Sequence, residues 1–544
     1  MKMEFLNKNL LRWQWRILRR ERVVQIAVGL LLLACSYALF NGFTEANSQQ
    51  RDVLASQAFQ NALFDKTRQT LAAYEQKTPA EEGARAAPNA AATVRDELAN
   101  FKAVLPPAPA APLAVGQSDL YPQAYYYRKF NDDSPAQATV DGRSLSNVFP
   151  QKLTANPLRL LTGRFDLAFV LLYIFPLLII ALSFNLIAAE AESGTLALFL
   201  SQPVTLGTLV MSKTLIRFAL VAVTAILFPA LSVAFVGLFT RHGLSFWRLV
   251  IWSLAAAGYG IFWFALALYI NNRRKSSVHN ALTLAVGWLG IVIILPVITG
   301  LAAQIIFPVP SSLMIADKER AIRTEAQEKA THSTDLLRTN FAARFPPQPD
   351  EKAASPRLNT LRNSEYLSVP ETDDLLSDYF RRHPEWKQHV TYSRMIFAIQ
   401  QARDEYIEAQ LFPLLEAAEK QRARQEAFVN VSGLLSPAIV LQKVLSDVAG
   451  TGATRHQNFV RQFDEYVRRR NQFFAARVFQ GQPITSTEIS DSLKFVFHEE
   501  GMSKLLQRVT WPLLLLLLLP VSLMVWGIRI YRKPSLTETR NLTH

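Results

Sequence analysis

Residues 187–213 read IAAEAESGTLALFLSQPVTLGTLVMSK, a short polar stretch caught between two long apolar runs. It is too short to be a domain, and it lies where the chain leaves one apolar run and enters the next. Glu190 and Glu192 are two positions apart; successive helical residues turn by about 100°, so the two carboxylates point to different sides and do not form an acid–base pair. They suit pairing with basic residues on a partner's surface. Gly194 permits a sharp change of direction, Leu196, Leu198, Phe199 and Leu200 supply a short apolar helix, and Pro203 ends it before Thr205. A helix, an elbow and a return make a lever, although an ordinary interfacial turn with a glycine and a proline fits this pattern equally well.

Composition sets the context. Of 544 residues, 50% are hydrophobic and only 19% charged, with 34 Phe, more apolar mass than a soluble chain of this size carries. A helix needs about 20 apolar residues to cross the hydrocarbon layer. Six stretches qualify: Val23 to Phe40, Phe165 to Ile187, Leu215 to Phe239, Leu249 to Ile270, Ala281 to Ile306 and Trp511 to Ile530. Basic residues resist translocation. Arg12, Arg16, Arg19, Arg20 and Arg22 precede the first span, Arg273, Arg274 and Lys275 separate the fourth from the fifth, and Arg532 and Lys533 follow the sixth. With six spans these clusters fall on one side, which places both termini in the cytoplasm. The net charge of +14 is then mostly topology and contact with anionic lipid, and no module supports a nucleic-acid partner.

The expected fold is therefore mainly α, a polytopic membrane protein with six transmembrane helices and two large extracytoplasmic segments, the second mostly helical. The chain divides into an amphipathic interfacial helix at 1–22, a first span at 23–43, an outer segment at 44–164, a second span at 165–187 and a connector at 188–214. Spans three to five fill 215–306, a helical outer domain fills 307–508, the last span covers 509–530, and 531–544 is a tail. The first run carries no small-residue cleavage pattern and reads as a retained anchor. The single cysteine, Cys35, sits within it, so no disulfide can form inside the chain.

In the first outer segment, Leu54, Ala58, Phe59, Ala62 and Leu63 are spaced for one face of a long helix leaving the membrane, and a second helix is expected over Thr93 to Val104. The proline run at 105–112 predicts an extended strut. The cluster Tyr121, Tyr125, Tyr126, Tyr127 and Phe130 reads as packing or a membrane-interface belt in preference to a ligand-stacking face. In the second, helices are expected over Ile315 to Phe341, Thr372 to Phe380, Val390 to Val429 and Asn458 to Phe479, with an apolar, proline-started helix at 434–445 lying on the membrane surface or capping the spans. Pro176, Pro229, Pro296 and Pro520 should kink their spans.

Enzyme signatures fail. There is no Gly-x4-Gly-Lys-Ser/Thr phosphate cradle, Gly450-Thr-Gly452 reads as a turn, and His498-Glu-Glu-Gly-Met lacks the second histidine of a zinc helix. Eight scattered histidines and one cysteine give a transition metal little to bind.

Glu192-Ser-Gly-Thr-Leu, then Leu-Ser-Gln-Pro-Val at 200–204, then Lys213 resembles the cytosolic coupling segment of type 2 ABC transporter permeases. The basic amphipathic N terminus, with Trp13-Gln-Trp-Arg, resembles the interfacial helix that precedes the first span in that family. Asn156-Pro-Leu-Arg before the second span, and Leu435-Ser-Pro-Ala, Ala449-Gly-Thr-Gly, Phe459 and Tyr466 in the distal outer domain, are similar to members with large extracytoplasmic insertions, such as permeases serving copper-enzyme maturation. The resemblance implies a permease subunit of the bacterial inner membrane, not itself catalytic, that binds no cofactor or metal. Its partners would be separate ABC ATPase subunits carrying ATP and Mg, a second permease subunit forming a homodimer or related heterodimer, and a periplasmic or outer-membrane component. It assigns coupling to Glu190, Glu192, Gly194, Thr195, Leu196, Ser201, Pro203 and Lys213, and grip on the ATPase to Trp13, Trp15, Arg16 and Arg19. The other reading is a membrane sensor or scaffold with partner-binding outer domains, against which stands the lack of a cytosolic output domain.

Overall fold

The computed structural model describes residues 8–76, 90–98, 101–115, 122–127, 148–150, 165–195, 206–240, 246–273, 275–348, 355–369, 372–387, 390–490 and 493–530. Backbone groups in hydrocarbon must be paired within the chain, and helices achieve this segment by segment. Among the described residues six helices are long and apolar enough to cross a membrane: the first part of α2 (Arg22–Glu75), the span α4 (Leu167–Glu190), α5 (Leu206–Val236), α6 (Phe246–Asn271), α7 (Ser277–Ile306) and α14 (Met502–Ile530). The remaining helices are α1 (Lys8–Arg20), α3 (Ala91–Glu97), α8 (Ser312–Arg344), α9 (Pro356–Ser364), α10 (Asp374–Arg382), α11 (Tyr392–Ser432), α12 (Pro437–Ala449) and α13 (Ala453–Gln480).

The membrane core is built around α6, whose Trp252, Ala255, Ala256, Tyr259, Trp263 and Ala267 are fully enclosed. Its closest neighbour is α14. A Cβ on Gly258 would fall 2.5 Å from the Leu516 carbonyl oxygen, so only glycine allows the two backbones this approach.

Three spans contain a widened π turn: Val170–Ile174 in α4, Val223–Leu227 in α5 and Leu289–Ile294 in α7. Each is followed by one residue and then a proline, Pro176, Pro229 or Pro296. Proline has no N–H and its ring crowds the carbonyl four residues back; a wider turn relieves the crowding. The kinks expected at these prolines take this form, whereas Pro520 lies inside the α-helix of α14.

Beyond the first span α2 runs on unbroken, 54 residues in all. Its inward face there is Val53, Gln60, Phe64, Thr67 and Leu71, not the expected stripe, since Leu54 and Phe59 point outward. The polar Gln60 and Thr67 hide the true periodicity. Phe64 and Leu71 share a core with α3, α10, α11 and α13 through Val94, Leu376, Phe380, Met395 and Phe474. Residues from the 44–164 and 307–508 segments thus share one interior.

The helix expected over Thr93 to Val104 ends at Glu97, and β1 (Phe101–Val104) pairs antiparallel with β2 (Ala124–Tyr127), which pairs with β3 (Val148–Pro150). Phe101 and Ala103 alternate with Lys102 in the manner of a strand, a signal too short to compete with the helical reading. Tyr125 is buried with its ring centroid 6.0 Å from both Phe459 and Phe463, which is packing and not a membrane belt. The proline run is no free strut. Ala110, Ala111, Pro112 and Leu113 are buried, residues Ala111–Leu113 form a 3-10 turn, and Pro112 Cα lies where a Cβ on Gly42 would be 2.8 Å away.

The outer helices at 312–344, 374–382, 392–432 and 453–480 match the expected ones within a few residues. The difference is at α12. Gln425 of α11 donates to the Phe307 carbonyl at the outer end of α7 (2.6 Å), the chain turns over Gly433–Leu435, and Ser436 Oγ donates to the Ile291 carbonyl halfway along α7 (3.0 Å). Leu441, Val444, Leu445 and Val448 then join the membrane core, and Arg248 Nη1 closes the return by donating to the Val448 carbonyl (2.7 Å). The α11–α12 hairpin therefore re-enters the bundle and does not lie on its surface. Gly450, with φ +80°, ends α12 in the turn expected there. The Asn156 to Gly163 part of the motif before the second span, the tail and residues 1–7 lie outside the described residues.

These contacts separate two kinds of glycine. Nothing lies within 4 Å of a Cβ built on Gly287. Gly258→Ala should destabilise the isolated chain in detergent by about 1–3 kcal/mol, as overpacking does, while Gly287→Ala should be neutral or stabilise by up to about 1 kcal/mol. Thermal unfolding of both variants checks the contrast.

Candidate functional site

The inner end of α4 is where the quoted stretch begins. Leu186 and Ile187 pack with Val210 of α5, Leu268 of α6 and Met524 of α14, so four spans meet under the elbow. A helical turn, Ala188–Glu192, carries the two carboxylates, and Gly194 takes φ +70° in the turn that follows. A Cβ there would meet nothing within 4 Å, so the backbone conformation, not space, requires glycine. Ser193 Oγ donates to the Glu190 carbonyl at 3.3 Å and lies 2.9 Å from Thr195 Oγ1, capping the turn from within.

Glu190 and Lys213 form an ion pair whose side chains are only 20% and 7% exposed, and Lys213 Nζ also donates to the Leu186 carbonyl at 3.0 Å. One turn further along α5, Arg217 lies in the field of Glu190 and of Glu21 at the head of α2. Among the described residues three buried polar atoms here have no hydrogen-bond partner: Glu190 Oε2, Arg217 Nη1 and Gln14 Nε2 of α1.

Glu192 turns the other way. Its Oε1 accepts from Ser277 N (2.7 Å) and its Oε2 from Ser277 Oγ (2.9 Å), which sets a carboxylate on the positive end of α7 beside the Ser276 cap. The 200° between positions 190 and 192, roughly two steps of 100°, appears as two separate neighbours. The sequence reading offered both carboxylates to a partner's basic residues, but each has a partner within the chain, 23 and 85 residues away. Lys213, expected in a connector, is helical and buried in α5.

A third tie was missed. Asn271 Nδ2 donates to the Ser183 carbonyl of α4 (3.0 Å), and Asn280 Nδ2 of α7 donates to Asn271 Oδ1 (3.3 Å), all three residues being enclosed. The only sequence signal was the polar run Asn271-Asn-Arg-Arg-Lys, which reads first as topology.

At the same end α1 packs on the start of α5, with Gln14 and Leu18 buried. Trp13, Trp15, Arg16 and Arg19 lie on its exposed surface, the face left for lipid or a partner. Glu190, Glu192, Gly194, Thr195, Lys213 and the α1 residues are thus gathered at one end of the bundle, while Leu196, Ser201 and Pro203 lie outside the described residues.

A family model described as ABC-2 family transporter protein matches residues 9–410. A second, described as a domain of unknown function (DUF3526), matches residues 360–498. No curated protein and no solved structure matches the chain.

Removing one partner of a buried pair costs about 3–5 kcal/mol, and the partial exposure of Glu190 puts this pair toward the lower end. Lys213→Met or Glu190→Leu alone should therefore destabilise the chain, and the double variant should recover most of the loss. A double-mutant cycle in detergent unfolding measures the coupling.

Proposed function

The chain belongs to the ABC-2 transporter family, multi-pass permeases generally not catalytic themselves, and we propose that it couples ATP hydrolysis by separate ABC ATPase subunits to movement of its spans and outer domain. The observation that carries this reading is the double attachment of the elbow. Glu190 ties it to α5 and Glu192 ties it to α7, so one push at 193–205 reaches two spans besides the one it belongs to.

The elbow end also carries Arg12, Arg16, Arg19, Arg20, Arg22, Arg273 and Lys275, which favours a cytoplasmic position in a bacterial inner membrane. An ATPase arriving there would bring its own ATP and Mg. A second permease subunit would complete the pair that two ATPases drive. At the far end a core drawn from both outer segments is joined to the spans by α2 and the re-entrant hairpin, which suits either gating of a translocation path or mechanical work on a periplasmic or outer-membrane component.

Purification of the chain in nanodiscs should recover an ABC ATPase whose ATP turnover rises on binding. Gly194→Pro cannot adopt the positive φ of the elbow and should lower stimulated turnover about tenfold, a coupling loss of about 1.4 kcal/mol. A sensor or scaffold would recover no ATPase, or would leave turnover indifferent to Gly194, and either result would falsify the proposal.

A further inference from the structure

The span α7 is attached to the rest of the chain in an unusual way. Val278, Leu282, Val286, Val297 and Ile305 are all more than half exposed, and only Asn280, Leu284, Val292, Thr299 and Ala303 are buried along it. Within this chain, apolar contact therefore holds α7 weakly, and polar ties are spaced along its length. Glu192 holds Ser277 at the inner end, Asn271 holds Asn280 one turn on, Ser436 holds Ile291 at the middle, and Gln425 holds Phe307 at the outer end.

The middle tie has a specific cause. In the π turn the Leu295 N–H donates to the Gly290 carbonyl, five residues back, instead of to Ile291. The next residue, Pro296, has no N–H to offer. The Ile291 carbonyl is thereby left without a backbone donor in the middle of a span, where water is absent and an unpaired carbonyl is costly. Ser436 Oγ, itself fully buried at the tip of the re-entrant hairpin, supplies the missing hydrogen bond at 3.0 Å. A side chain from the outer domain's hairpin thus completes the backbone of a membrane span at its bend.

We infer that Ser277 and Ser436 are positioning residues of the coupling movement, Ser277 as the latch that keeps α7 on the elbow and Ser436 as the pin about which α7 bends. This rests on the reading of the elbow as the ATPase contact. When a partner draws the elbow, Glu192 leaves Ser277, the inner half of α7 swings about residues 289–294, and the outer half passes the motion to α11 through Gln425. Glu190 stays with Lys213, so the elbow keeps its hold on α5.

Ser277→Pro tests the latch with little risk to the fold. Ser277 is the first residue of α7, where proline is well tolerated, and Ser276 at ψ 155° already has the extended backbone that precedes proline. The substitution removes both the N–H and the hydroxyl that Glu192 accepts from. Amide hydrogen exchange of the assembled complex is compared with and without trapped ATP. In the native complex ATP should raise exchange over 278–286; in Ser277→Pro exchange there should already be about fivefold faster without nucleotide, within the range that loss of an N-cap gives, and insensitive to ATP. Ser277→Thr should restore the native response. Ser436→Ala should raise exchange over 289–295 and abolish the ATP-linked change at 425–432, with Ser436→Thr restoring it.

An ATP response in Ser277→Pro equal to the native one overturns the latch. A native complex that holds its ATPase and hydrolyses ATP but shows no change in α7 overturns the whole inference while leaving the proposed function standing. If no ATPase binds at all, both fall together.

Discussion

A carbonyl or amide inside hydrocarbon has no water to turn to, and much of this structure follows from that constraint. It makes the spans helical, and where proline interrupts α4, α5 and α7 it confines the damage to one widened turn in each. In α7 the repair extends beyond the span itself. The hydroxyl of Ser436 is carried into the bundle by a hairpin whose other end belongs to the outer helical core, so local backbone satisfaction and long-range connection are one contact. The return helix of that hairpin, α12, is then secured at its last turn by Arg248 of α6.

At the elbow, magnitudes decide which bond holds. The Glu190–Lys213 pair is largely shielded, and losing either partner of such a pair costs about 3–5 kcal/mol. The Glu192 cap on α7 is exposed to solvent, and an N-cap is worth about 0.5–2 kcal/mol. Of the two, the Glu192 contact is the more exposed and leaves the less costly unpaired group behind when it opens. The Asn271–Asn280 bond sits in a dry setting, but a single side-chain bond between membrane helices averages well under about 2 kcal/mol. This order agrees with the proposed coupling, in which α4 and α5 stay together and α7 moves.

The six spans and the outer helices were legible because their signals are local: length, apolar content and 3.6-residue periodicity. The elbow's glycine was legible for the same reason, since only glycine sits easily at φ +70°. What escaped depends on partners distant in sequence. Nothing near Glu192 announces Ser277, and nothing near Ile291 announces Ser436. The inward face of α2 escaped because Gln60 and Thr67 occupy apolar positions of its stripe. The three-stranded sheet escaped because strands of only three or four residues leave too short an alternation to read.

The single outer core bears on how force would travel. Because α2 is one continuous helix from the membrane into that core, a tilt of the first span moves Phe64 and Leu71 with it, and these side chains touch α10, α11 and α13 directly or through their shared interior. The helical domain is joined to the spans by α2 as a stiff rod, by the α11–α12 hairpin pinned to α7, and by the chain itself where α7 leads into α8 and α13 into α14. With α4, α5 and α6 packed into the enclosed core and α7 the least covered of the spans within this chain, the proposed coupling would move the hairpin's attachment relative to the rod.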